Sequence, residues 1–169
     1  MALRYAKIAV ATIPMLLGFF AVLNNLTAYT ETLENVVEPI LCMRHVFEDS
    51  DQRWRALCHP VLLHGVSLLV ISAELMIGLI AASGVWLMYG ARGASSITFS
   101  ESMSRVSLAC ALGVVVWGIG FFVIIGDWFL AWQGQMKPFV TDGVVYSAML
   151  LVCIVVLHVI PDESPPKDG

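Results

Sequence analysis

The stretch Val61-Leu-Leu-His-Gly-Val-Ser-Leu-Leu-Val-Ile-Ser-Ala-Glu74-Leu-Met-Ile-Gly-Leu-Ile-Ala-Ala-Ser-Gly-Val-Trp-Leu-Met-Tyr89 is apolar throughout, with one carboxylate near its middle. About 20 apolar residues cross the roughly 30 Å hydrocarbon core of a bilayer. Residues 61–89 exceed that, so they span with tilt or protrude. His64 lies close to one end, and Glu74 is the only acidic side chain in the run. A carboxylate at membrane depth is costly and faces protein or water, which makes it a functional candidate.

Outward from this run lie three more, at about residues 5–26, 106–126 and 140–160. The charges gather between them, in Met1–Lys7, Glu31–Arg55, Arg92–Arg105 and the last eight residues. Of 169 residues, 59% are hydrophobic and 13% charged, about half the charged share of a soluble domain. Mean hydropathy is +0.83. A water-soluble fold of this size could not hide that much apolar surface. The expected fold is an all-α membrane protein: a four-helix transmembrane bundle with a partly helical extracytoplasmic loop between helices 1 and 2. Residues 1–161 form its single domain, and 162–169 read as a disordered tail. The net charge of −4 belongs to the loops. No basic patch interleaved with aromatics points to nucleic acid.

The first run follows Arg4 and Lys7 as a signal peptide would, but it is long and no small-x-small cleavage site follows, so it reads as a retained span. Pro14 inside it is tolerable in a membrane helix. An N-in, C-in topology puts Arg4, Lys7, Arg92, Arg105 and Lys167 in the cytoplasm and leaves Arg44, Arg53, Arg55 and Lys137 outside. That margin is five to four, and the basic flank of the first run decides it. Residues 27–60 are then a long outside loop. Pro39 suits the first position of a short helix through Phe47, and Ser50 suits the cap of a second one through Leu57. Trp54 would dip toward the interface, as Trp prefers.

At helical spacing, His64, Ser67, Ile71, Glu74, Gly78 and Ala81 share one small or polar face that should point into the bundle. Glu74, His64 and Ser67 are the candidate intramembrane polar site. One reading of Glu74 is a proton relay or cation site. The other, favoured because no other run has a central charged partner, is a neutral acid hydrogen-bonded to a neighbouring helix. Cys110, Gly113, Trp117 and Gly120 form a packing stripe on the third run. Cys110 and Cys153, at similar depth, read as reduced packing residues. His64 and His158 lie in opposite leaflets, so one haem cannot use both. In the loop, Cys42 and Cys58 are a candidate disulfide, with free thiols, or a metal site with His45 and His59, as the alternatives. Asn25-Leu-Thr27 matches a glycosylation acceptor but hugs the membrane. Asp127, Trp128, Trp132 and Gln133 mark an outer-interface segment. No catalytic set, phosphate loop, dinucleotide fingerprint or metal signature appears, so no enzyme activity and no cofactor is expected.

Asn24-Asn25-Leu-Thr-Ala-Tyr29, Arg53-Trp54-Arg55-Ala56, Glu74, Trp117 with Gly120-Phe121, Gly126-Asp-Trp-Phe-Leu-Ala-Trp-Gln133 and Pro161-Asp162 together resemble a mostly bacterial family of predicted small integral membrane proteins. The family pattern has Glu where Asp127 stands, and a shorter loop where this chain has Cys42–Asp49. The resemblance implies four spans and a bacterial inner membrane, and it brings no catalytic residues. The expected role is a non-enzymatic accessory or assembly subunit of a larger membrane complex, respiratory or photosynthetic, surrounded by lipids and other subunits. The alternative is a small proton- or cation-coupled transporter or channel centred on Glu74.

Overall fold

A computed structural model describes residues 1–161; the tail 162–169 lies outside the described residues. Four helices are long and apolar enough to cross a membrane, and no strand occurs among the described residues. The chain is an all-α membrane bundle. The first helix is Ala2–Thr27 and the second is Pro60–Gly90, which a one-turn 3₁₀ segment extends through Gly93. The third span runs over Ser96–Trp128 and the fourth helix over Lys137–Val159. Pro14 is buried inside the first helix. Pro60 at the first position and His59 Nδ1 accepting from the Val61 amide start the second helix.

Both chain ends of the bundle meet at one end, here the terminal end. Lys7 is 1% exposed, and its ammonium donates to the carbonyls of Leu157 (3.0 Å) and Ile160 (2.7 Å). It therefore caps the C-terminus of the fourth helix, where orphan carbonyls and the helix dipole favour a cation. Arg4 is equally buried, donates to the carbonyls of Arg92 and Ala94, and lies over the Phe99 ring. Below the midpoint, Ile77, Ala81, Val106, Leu150, Cys153 and Leu157 are packed with almost no accessible surface. Close approach depends on small residues. A Cβ on Gly84 would stand 2.6 Å from Val106 Cγ2 and 2.9 Å from its backbone nitrogen.

The opposite, loop end departs from the expected plan. The helical path does not stop near residue 26. After a break at Ala28 (φ −114°, ψ 33°) it resumes at Tyr29–Thr32, widens to a π-turn at Leu33–Val37 and continues as Glu38–Leu41. So Pro39 lies near the end of a helical ribbon rather than starting a helix through Phe47. Proline lacks the amide and crowds the carbonyl one turn back, and the π-turn before it loosens that turn. Beyond Leu41 the chain turns through Met43 in a left-handed conformation (φ 52°). The expected second loop helix shrinks to a single 3₁₀ turn, Arg53–Arg55, although Ser50 Oγ does accept from the Gln52 amide.

The ribbon is anchored from above. Cys42 and Cys58 form a disulfide, Leu57 donates its amide to the Leu41 carbonyl, and Arg44 pairs with Glu38. Ile40, Leu41, Met43, Val46, Leu63, Phe129 and Leu130 form a second core there. His45 bridges the carbonyls of Pro39 and Phe129.

The third span is irregular too. Ser104–Gly113 is α-helical, but Val114–Trp128 is a π-helix. In the wider turn each residue advances less around the axis. Cys110, Gly113 and Trp117 keep the expected packing face. Gly120 falls off it: a Cβ there would meet nothing nearer than 3.8 Å.

Candidate functional site

The face expected of the second helix is present: Ser67, Ile71, Glu74, Gly78 and Ala81 are all buried. Gly18 fixes its distance from the first helix. A Cβ on Gly18 would lie 2.6 Å from the Gly78 amide nitrogen and 2.7 Å from the Glu74 carbonyl oxygen. The two backbones therefore touch at the level of Glu74. Two turns further along the first helix, Asn25 donates its side-chain amide to Glu74 Oε2 at 2.7 Å. The carboxyl is 2% exposed. Among the described residues, no hydrogen bond reaches Oε1.

Past this contact the ribbon and the second helix separate. The gap between them, closed on the far side by the third span and fourth helix, is a cavity of about 390 Å³. Glu74, Trp117 and Tyr146 line its inner part, Asp142 and Phe139 line it from the fourth helix, and Ile40 and Leu41 line it from the ribbon. Trp117 and Tyr146 meet edge to face, with ring centroids 5.9 Å apart. Gly143 lets the fourth helix approach closely, since a Cβ there would stand 2.7 Å from the Trp117 carbonyl oxygen. The packed core below gives the cavity a floor, so it is blind toward the terminal end.

The other expected site residues are distributed differently. Ser67 lines the cavity, but its hydroxyl donates to the Leu63 carbonyl of its own helix. His64 is exposed, outside the cavity wall, where it stacks on Tyr29 and shares a 2.8 Å hydrogen bond with its hydroxyl. The polar trio is thus not one cluster.

In the segment after the third span, Asp127 is exposed and Gln133 is buried, accepting from the Phe47 amide. Trp132 meets Phe47 edge on. Trp128 faces Trp54, and the Arg55 guanidinium lies over both rings, 4.6 Å from Trp128 and 5.5 Å from Trp54. Cys110 and Cys153 are both buried and unbridged. His158 bonds the Ser107 hydroxyl. Among the described residues, no three His, Cys, Asp or Glu side chains gather as a metal site would require.

Two site residues escaped the sequence reading. Asn25 registered as part of a glycosylation match and of the family resemblance, without a role, because the first span ends beside it. Asp142 sits at the start of the fourth run, where an acidic residue looks like an interface marker. The run of polar residues Asn24-Asn25 inside an otherwise apolar helix was the available signal.

Fold and site together define a class: a four-span integral membrane bundle with a polar-ended cavity in one half. The chain matches the family described as "Predicted small integral membrane protein (DUF2165)" over residues 3–160, and it belongs to that family. No curated protein and no solved structure matches it.

Proposed function

We propose that this chain is a non-enzymatic membrane protein that binds a small molecule in the cavity beside Glu74, the site on which a small cation-coupled carrier or channel would centre. One observation carries the reading: a buried carboxyl, held on one oxygen by Asn25, stands in the wall of a blind cavity of about 390 Å³. Cavities of roughly 300–1,000 Å³, mostly apolar with a few placed polar groups, are typical of small-molecule sites. Intramembrane carboxyls are functional by default. The test is flux in proteoliposomes. Transport of a cation that Glu74→Gln abolishes, with the variant still monodisperse, supports a carrier. Flux that Glu74→Gln leaves unchanged removes Glu74 from the function.

The topology we propose is N-in and C-in in a bacterial inner membrane, which would put the loop end and its half of the bundle toward the outside. Arg4 and Lys7 at the terminal end support it. Reporter fusions after residue 49 and before residue 96 test it; activity of a cytoplasmic reporter at residue 49 would reverse the orientation.

A second reading, an accessory or assembly subunit of a larger complex, is favoured by the Trp54–Arg55–Trp128 platform. Trp54 is 73% exposed although it meets Trp128 edge to face, and Trp and Arg dominate binding hot spots. Native-membrane purification should then recover a partner chain that Trp54→Ala loses. Recovery of this chain alone would refute the subunit role.

A further inference from the structure

We infer that the ligand of the Glu74 cavity is a small organic cation, a protonated or quaternary amine carrying an apolar group. This rests on the cavity being a ligand site and adds the chemical class. Three observations converge on it.

The first is charge. Two carboxylates line the cavity, Glu74 deep in it and Asp142 from the exposed side of the fourth helix. No Lys, Arg or His is among the described residues that line it. The wall therefore repels anions and draws cations, and an apolar surround sharpens that preference because field lines are not screened by water.

The second is the free acceptor. Asn25 takes Oε2 only. A neutral hydrocarbon would fill the space, displace water from Oε1 and leave it unmatched, which is unfavourable. An ammonium places its charge there.

The third is aromatic surface. Trp117, Phe121 and Tyr146 line the same space. Ring faces attract a cation within about 6 Å of the centroid, Trp most strongly. The same rings pack well against an apolar substituent. The nitrogen is assigned to the inner part, between Glu74 and the Trp117–Tyr146 wall, and the apolar group to the gap beneath the ribbon.

The test compares benzyltrimethylammonium with neopentylbenzene, its uncharged carbon isostere, by titration calorimetry on the full chain in lipid nanodiscs, with empty discs subtracted for partitioning. The cation should bind roughly tenfold or more tighter, the scale of a desolvated ion–aromatic and ion–carboxylate contact. Glu74→Gln should erase that advantage while leaving the isostere unchanged. Asp142→Asn, at an exposed position, should reduce it only a few-fold. Equal affinity for cation and isostere would overturn the cation assignment and leave the cavity a ligand site. Binding of neither would overturn the ligand site itself. The comparison on the unaltered protein decides between these even if Glu74→Gln fails to fold.

Discussion

Toward the terminal end the four helices enclose Ile77, Ala81, Leu150 and Leu157 with almost no accessible surface, whereas toward the loop end a gap of about 390 Å³ separates the same helices. Composition does not explain the contrast, since both halves are apolar. Helix geometry does. In the packed half the first, second and fourth helices are regular α-helices, with small residues such as Ala11, Ala81 and Gly84 buried at the contacts, so backbones approach closely. In the open half two of the four walls are irregular: the ribbon breaks at Ala28 and widens at Leu33–Val37, and the third span is a π-helix from Val114. Wide turns shift side chains off the α-helical period and are frequent at functional sites. The site is thus made by withholding packing from one half.

Four tests would break or sharpen this contrast. The largest effect belongs to the seam between the halves. Gly18→Leu drives a side chain into the backbone of Gly78 and Glu74, so folded protein should be lost, at a cost above the usual ~1–3 kcal/mol of overpacking. A normal size-exclusion profile and thermal midpoint for that variant would show that the two helices do not touch there. Next, Leu150→Ala in the packed half should cost about 3 kcal/mol, within the range of large-to-small core changes. Ile125→Ala, on the cavity wall, should cost clearly less because one side of it is already empty. Equal losses in unfolding titrations would erase the distinction between the halves.

Smaller and local is the effect of Cys42→Ser with Cys58→Ser. Removing a crosslink over this span costs about 2–4 kcal/mol. Hydrogen exchange should accelerate across residues 33–41 and stay unchanged across 104–113; uniform acceleration would mean that the loop end is not a separate unit. Smallest is Gly120→Ala, expected within about 1 kcal/mol of neutral and of stabilising sign, since its Cβ would meet only the Val115 carbonyl oxygen, at 3.8 Å, and a helical Gly is entropically costly. A loss comparable to that of Leu150→Ala would place Gly120 back on a tight contact.

The regular half was legible from sequence and the irregular half was not. Ser67, Ile71, Glu74, Gly78 and Ala81 fall on one buried face because the second helix keeps its period throughout. The same arithmetic failed at Gly120, where the period itself changes. At the first span Asn24, Asn25 and Thr27 do mark the end of the helix, at Thr27, but a helical ribbon resumes beyond the break at Ala28, and Asn25 in the last turn meets Glu74. Asp142 could not be paired with that carboxyl from sequence, since the register of the fourth helix is set by Gly143 on the Trp117 carbonyl, a contact invisible to composition. Glu74 itself stood out because an isolated carboxylate in an apolar run needs no register to be noticed.

The cap that Lys7 places on the fourth helix has a consequence for how the bundle is built. Synthesis runs from the N-terminus, so this cation is made more than a hundred residues before the carbonyls of Leu157 and Ile160 that receive it. Until the fourth helix is in place the ammonium lacks both of these partners, so the first helix can be sealed only by the last. A chain cut short before residue 157 would leave Lys7 without either carbonyl.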